Sequence, residues 1–170
     1  TYEVDDDATP LEVLQVMVDQ LEREFDALAE QVAAAEDRGL DPYELLTFAS
    51  LVERETRVAD ERETVAGVIA NRLGDGMQLQ IDATVVYALG EHRELVSLAD
   101  LEYESPYNTY RVSGLPPTPI SGVGTASLEA AVAPADVPYR FYVLADTCDG
   151  SHVFSETAAE HQQYVQAFRD

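Results

Sequence analysis

The chain has 170 residues, 46% of them apolar, which suits one domain over 1–170 that buries its own core without cross-links. Its 33 acidic residues against 10 basic ones give a formal charge of -23, a field that repels nucleic-acid phosphates and anionic lipid, so no nucleic acid is expected as a partner. A lone cysteine, Cys148, excludes an internal disulfide and any multi-cysteine zinc site, and no apolar run approaches the roughly 18 residues of a membrane span.

Thr9-Pro10-Leu11-Glu12 places Thr as N-cap, Pro in the first turn and Glu three residues after the cap. It predicts an N-terminal helix over 9–38, with Leu14, Met17, Leu21, Phe25, Leu28 and Val32 as its packing stripe and Gly39 as its end. Asp41-Pro42-Tyr43-Glu44 repeats the signal and opens a motif-bearing core, 42–165, whose second helix turns Leu45, Phe48, Leu51 and Val52 inward. Asp60 and Glu63 form a further cap-plus-three pair, so a break near 57–60 and a third helix ending at Leu73-Gly74 are expected.

"MQLQID", residues 77–82, alternates like a short strand, and Asp82 or Thr84 can cap a helical turn through Val85, Val86 and Tyr87. Ser97 and Asp100 open another short helix. Residues 104–124, "ESPYNTYRVSGLPPTPISGVG", are crowded with Pro, Gly, Ser and Asn and form a long structured loop, the kind of segment that carries function. "SLEAAVAP" is a short helix ending at Pro134, "YRFYVLAD" and "DGSHVF" form a hairpin around Asp149-Gly150, and a last helix runs from about Glu156 to Phe168. The fold class is α+β, with helices at both ends of the chain around a small, mostly antiparallel sheet and a long structured loop rich in Pro and Gly.

The segment 45–73, "LLTFASLVERETRVADERETVAGVIANRL", holds Glu53, Glu55, Glu61 and Glu63 within core-facing helical sequence. At about 100° per residue, Glu55 falls within about 20° of Phe48 and about 40° of Leu51, on the apolar face. Glu53 lies about 160° from Glu55, on the side expected to face water. Glu61 and Glu63 fall beyond the break, with Glu63 assigned to capping. Only Glu55 is therefore placed where an ionised carboxylate is unfavourable; burial raises its pKa, which keeps a general acid protonated near neutral pH. An ion pair with Arg54, Arg57 or Arg62 at the core rim is the alternative for the same residue.

His92, His152 and His161 are scattered without a ligand spacing, so no metal site is expected, and neither Ser105 nor Ser113 sits in a nucleophile elbow. Tyr107, Asn108, Thr109 and Tyr110 follow one another in the long loop, ahead of the stiff "GLPPTPI". Aromatic faces beside amide and hydroxyl groups suit a sugar chain; packing of the loop onto the core is the alternative.

Taken together, "LVERETRVADERETVAGVIANRL", "GMQLQIDATVVYALG", "SPYNTYRVSGLPPTPI", "SLEAAVAP" and "FYVLADTCDGSHVFSETAAEH" resemble the catalytic domain of the MltG/YceG family of endolytic murein transglycosylases, over about residues 45–165. The resemblance implies cleavage of the MurNAc-GlcNAc β-1,4 bond of peptidoglycan without water, leaving a 1,6-anhydro-MurNAc end. It implies no cofactor and no metal. The family's acid is the second glutamate of E-[KR]-E-T, which falls on Glu55 of "ERET". By the same resemblance Gln80, Asp82, Tyr107, Asn108, Thr109, Tyr110 and His152 surround the glycan; Arg62, Asn71 and Arg72 also match the family pattern, with structural caps and ion pairs as the equal alternative, and stay outside the catalytic set. Ala83, Thr118 and "CDGSH" depart from the forms the family commonly shows.

Family members usually carry a membrane helix and a LysM-like module ahead of this domain, neither of which lies in these 170 residues. The resemblance implies a membrane-anchored, extracytoplasmic bacterial enzyme with peptidoglycan synthases as neighbours. The competing functions are a non-catalytic glycan-binding module and a hydrolase of a GlcNAc-containing polysaccharide, the latter needing a second carboxylate, for which Asp82 is the candidate.

Overall fold

In a computed structural model of the chain, which describes residues 2–91, 93, 95–145 and 149–169, seven helices and one two-stranded antiparallel sheet are arranged in the order α1 (Pro10–Ala27), α2 (Ala29–Glu36), α3 (Pro42–Glu55), α4 (Arg62–Gly74), α5 (Asp82–Leu89), α6 (Thr125–Val132), β1 (Phe141–Leu144), β2 (His152–Ser155) and α7 (Ala158–Arg169). The class is α+β. His92 and Cys148 lie outside the described residues. Among the described residues, no helix is long and apolar enough to cross a membrane.

Capping chemistry accounts for the first and third helix starts. Thr9 and Glu12, and again Asp41 and Glu44, exchange side-chain and backbone hydrogen bonds as complete capping boxes, each with Pro in the first turn. The expected 9–38 helix is two helices, because Leu28 leaves the helical conformation and the chain restarts at Ala29. Its stripe is also divided. Phe25, Leu28 and Val32 pack on the core, whereas Leu11 and Leu14 stay 73% and 57% exposed.

The core is built from α3, α4 and α6. Leu45, Phe48, Leu51 and Val52 of α3 meet Val65, Ala66 and Ile69 of α4 and Leu128, Ala131 and Val132 of α6, all essentially without solvent exposure. Burying each of the Val, Leu, Ile and Phe side chains among them stabilises by about 1.5–3 kcal/mol. Gly67 of α4 permits one close approach: a Cβ there would lie 2.5 Å from the Ala135 carbonyl oxygen and 2.7 Å from Val137 Cγ2.

Two local expectations change. The Asp60/Glu63 capping pair does not form; a 3-10 turn over Ala59–Glu61 leads into α4, which starts without a side-chain cap. Residues 77–81 pair with no strand. Gln80 adopts φ +55°, which breaks the alternation, and the amides of Gln80 and Ile81 are taken by the carbonyl and hydroxyl of Thr109. The expected hairpin is present, with Tyr142 opposite Phe154 and Leu144 opposite His152. Period-two alternation puts these four side chains on one face of the ribbon.

Candidate active site

Glu55 is the last residue of α3, where Thr56 turns the chain into extended conformation. The helix therefore delivers the carboxyl to the edge of the core, beside a cleft of about 510 Å³. The cleft is walled by α3, the 77–82 segment and the hairpin, with Arg54, Glu55, Gln80, Asp82, Tyr110, Tyr142 and His152 among its lining.

The hydroxyl of Tyr142 donates to Glu55 Oε2 at 2.7 Å. Burial raises the pKa of Glu55, the Tyr142 bond opposes this, and the charge of Asp82 pushes it further up, while His152 and Arg54 pull it down. Tyr142 itself is raised well above the ordinary phenol range by burial and by the charge of Glu55, so it remains a donor. Tyr110 is raised as well, by burial and then by Asp82, to whose Oδ1 its hydroxyl donates at 2.6 Å.

His152 is held from the opposite side. Its backbone N–H donates to Glu61 Oε1 at 2.9 Å and its Nδ1 lies 2.8 Å from Glu61 Oε2. A carboxylate only accepts, so this contact makes Nδ1 the protonated nitrogen and leaves Nε2 free to act elsewhere. The ring meets Tyr142 edge-on, 5.2 Å between centroids. A chain of contacts thus runs from Glu61 through His152 and Tyr142 to Glu55.

Of the residues read from the sequence, Glu55, Gln80, Asp82, Tyr110 and His152 line one cleft. Tyr107, Asn108 and Thr109 do not. Asn108 and Thr109 are wholly buried: the Asn108 amide donates to the carbonyls of Leu101 and Tyr103 and accepts from the Tyr110 N–H, and the Thr109 hydroxyl meets Ile81 N–H and Thr84. They hold the loop rather than offer a ligand surface, because every polar atom named is taken by the protein. Tyr107 packs against Tyr87 and shares a 2.9 Å hydrogen bond with Thr118, one of the positions that departs from the common family form.

Glu53 also differs from its expectation as a solvated acid. It is half-buried, and its Oε2 accepts from the Gly124 amide at the start of α6, where a helix N-terminus favours negative charge.

The model of the YceG-like family matches residues 1–167. The chain belongs to the YceG-like family. It is 38% identical over 169 residues to a Bacillus subtilis (strain 168) protein named endolytic murein transglycosylase, an alignment covering 99% of this chain and 46% of that protein. A protein of the same name from Streptococcus pneumoniae serotype 2 (strain D39 / NCTC 7466) is 32% identical over 158 residues, covering 83% of this chain and 28% of that one. The 2.6 Å crystal structure of a putative yceG-like protein from Listeria monocytogenes superposes with a TM-score of 0.83 at 34% identity, over 96% of this chain and 52% of that chain. The chain thus spans less than half the length of these curated relatives.

In this YceG-like chain the residues that sequence reasoning missed are Tyr142, Glu61 and His161. Tyr142 sits in an ordinary apolar strand run, and Glu61 carries no periodicity signal that separates it from its neighbours. His161 of α7 lines the cleft, stacks on Phe141 at 5.4 Å and has its pKa lowered by burial and by Arg72. Arg72, 8% exposed, donates to the carbonyls of Arg140 and Leu79, both at 2.6 Å, and lies over the Phe141 ring. It ties α4 to both walls of the cleft.

Proposed function

We propose that this chain is the catalytic part of an endolytic murein transglycosylase, a lyase that cuts the MurNAc-GlcNAc β-1,4 bond within glycan strands and leaves 1,6-anhydro-MurNAc ends. The observation that carries the reading is Glu55: a carboxyl raised in pKa by burial, opening on a cleft large enough for sugar rings, in a chain 38% identical to a relative named for this activity.

In the mechanism, Oε2 of Glu55 is engaged by Tyr142, so Oε1 carries the acidic proton toward the glycosidic oxygen. As the C1–O bond breaks, its electron pair leaves with the oxygen, which takes that proton, and positive charge develops on the anomeric carbon. The Glu55 carboxylate then removes the proton from the MurNAc C6 hydroxyl, and O6 closes on C1. The proton count is restored and no water is consumed. One carboxylate serves both steps because the nucleophile is part of the substrate, which gives it the high effective concentration of an intramolecular reaction. The negative charge of Asp82, which also acts on Glu55, favours the developing positive charge.

The substrate is peptidoglycan, which places the working site outside the cytoplasmic membrane, with the full-length protein anchored there and peptidoglycan synthases as its neighbours. Mass spectrometry of purified peptidoglycan incubated with this chain and with Glu55→Gln tests the reading. Anhydro ends from the parent and none from the variant are expected. Reducing ends would assign a hydrolase that uses Asp82 as its second carboxylate, and glycan binding without cleavage by either protein would assign a binding module.

A further inference from the structure

We propose that Arg54 and Arg57 form an anion-binding subsite beside Glu55 that takes a carboxylate carried by the glycan strand. The inference rests on the murein reading above and deepens it, since it names the feature of the strand that the cleft selects.

The chain as a whole repels anions, with 33 acidic residues against 10 basic ones, all of them arginine. Three of the ten nevertheless line the same cleft: Arg54, Arg57 and Arg72. Arg72 is already engaged by backbone carbonyls and the Phe141 ring. Arg54 and Arg57 are exposed, and among the described residues neither makes a hydrogen bond or an ion pair. Three arginines outside the cleft do meet acids: Arg93 meets Glu91, Arg111 meets Glu102 and Arg140 meets Asp75.

The carboxyls that share the cleft do not neutralise the pair. Among the described residues, Asp82 takes the Tyr110 hydroxyl and Glu55 the Tyr142 hydroxyl rather than a guanidinium; Arg54 acts on Glu55 through charge alone, and burial holds Glu55 toward its neutral form. Arg57 is also braced. Gly150, at φ +83° in the hairpin turn, lies so close to its stem that a Cβ there would come within 3.2 Å of Arg57 Cβ and Cδ. Two arginines of the cleft lining therefore bracket the candidate acid at positions -1 and +2, one with its stem held by the turn. A guanidinium fork matches a carboxylate in shape as well as charge.

Murein supplies that carboxylate in two ways: the lactyl group of a muramic acid without its peptide, or the carboxylates of the peptide stem when the lactyl group is amidated. Polymers of N-acetylglucosamine alone supply none. Three labelled strand preparations separate the sources: stem-free strands with free lactyl carboxylates, the same strands with those groups converted to methylamides, and strands bearing stems. For each, kcat/KM of the parent chain and equilibrium binding by Glu55→Gln are read, then repeated with Arg54→Gln/Arg57→Gln in each background.

The parent chain should prefer a carboxylate-bearing strand over the methylamide strand by about tenfold, the modest scale of two solvent-exposed ion pairs, with the preference shrinking as salt rises. The double variant should bring the ratio close to one. Because each ratio is taken on one protein preparation, partial unfolding does not imitate the result. Preference for the free-lactyl strand alone, or for the stem-bearing strand alone, supports the subsite and identifies its source. A ratio near one in the parent, or one unchanged in the double variant, overturns it. If no strand is cut but Glu55→Gln binding keeps the carboxylate preference, the subsite stands and the transglycosylase reading falls.

Discussion

The hydroxyl of Tyr142 and Oε2 of Glu55 lie 2.7 Å apart, joining the hairpin to the end of α3 across 87 residues of sequence. The bond opposes the effect of burial on Glu55, so it sets how far the carboxyl rises above its ordinary range. Tyr142→Phe removes the largest opposing effect and leaves burial and Asp82 against only His152 and Arg54. The Glu55 pKa then rises further, and an acid that works when protonated stays active to higher pH. The alkaline limb of the kcat/KM profile should move upward in pH. A lower rate with an unmoved limb would reduce Tyr142 to a packing role.

Asp82→Asn should act in the reverse direction. The negative charge of Asp82 raises the Glu55 pKa, and asparagine removes the charge while keeping an acceptor for the Tyr110 hydroxyl. The alkaline limb should move to lower pH, and the double variant with Tyr142→Phe should fall between the two. Steady-state rates on soluble strands between pH 4 and 9 distinguish the cases.

Glu61 positions His152 through two contacts, so Glu61→Ala should lower stability by about 1.5–3 kcal/mol, the scale of hydrogen bonds to a charged group. Glu61→Gln is more informative. It keeps one acceptor for the backbone N–H but presents an amide donor to Nδ1, which must then accept, and the proton moves to Nε2. Nitrogen chemical shifts of the His152 ring should report the exchanged tautomer. Unchanged shifts would show that Glu61 does not orient the ring.

Gly67→Ala tests the packing that carries the 133–140 segment toward the hairpin. The new methyl meets backbone at 2.5 Å, which cannot swing aside as a side chain can, and a loss of about 1–3 kcal/mol is expected from overpacking. Urea unfolding measures it. Gly74→Ala, where nothing lies within 4 Å of the added Cβ, is the control within the same helix.

The capping boxes at Thr9 and Asp41, the hairpin, and the helical face that carries Glu55 were legible in the sequence because each depends on residues within a few positions of one another. The same local logic misplaced Glu63 as a cap and residues 77–81 as a strand. At 60–63 a 3-10 turn over Ala59–Glu61 leads straight into α4 and leaves no capping geometry, and at 77–81 Thr109 satisfies the backbone that a neighbouring strand would otherwise meet.

Periodicity says which face of an element is buried, never what lies across from it. That Asn108 and Thr109 are sealed inside while Tyr110 reaches the cleft was decided by how the long loop docks on α5 and the 77–81 segment. Tyr142 reaches Glu55, and Glu61 reaches His152, only because the hairpin folds back over the junction of α3 and α4. The sequence by itself determined which carboxylate stands at the core edge, since helical geometry is local. The groups that tune that carboxylate come from distant parts of the chain, and only the packed tertiary structure brings them together.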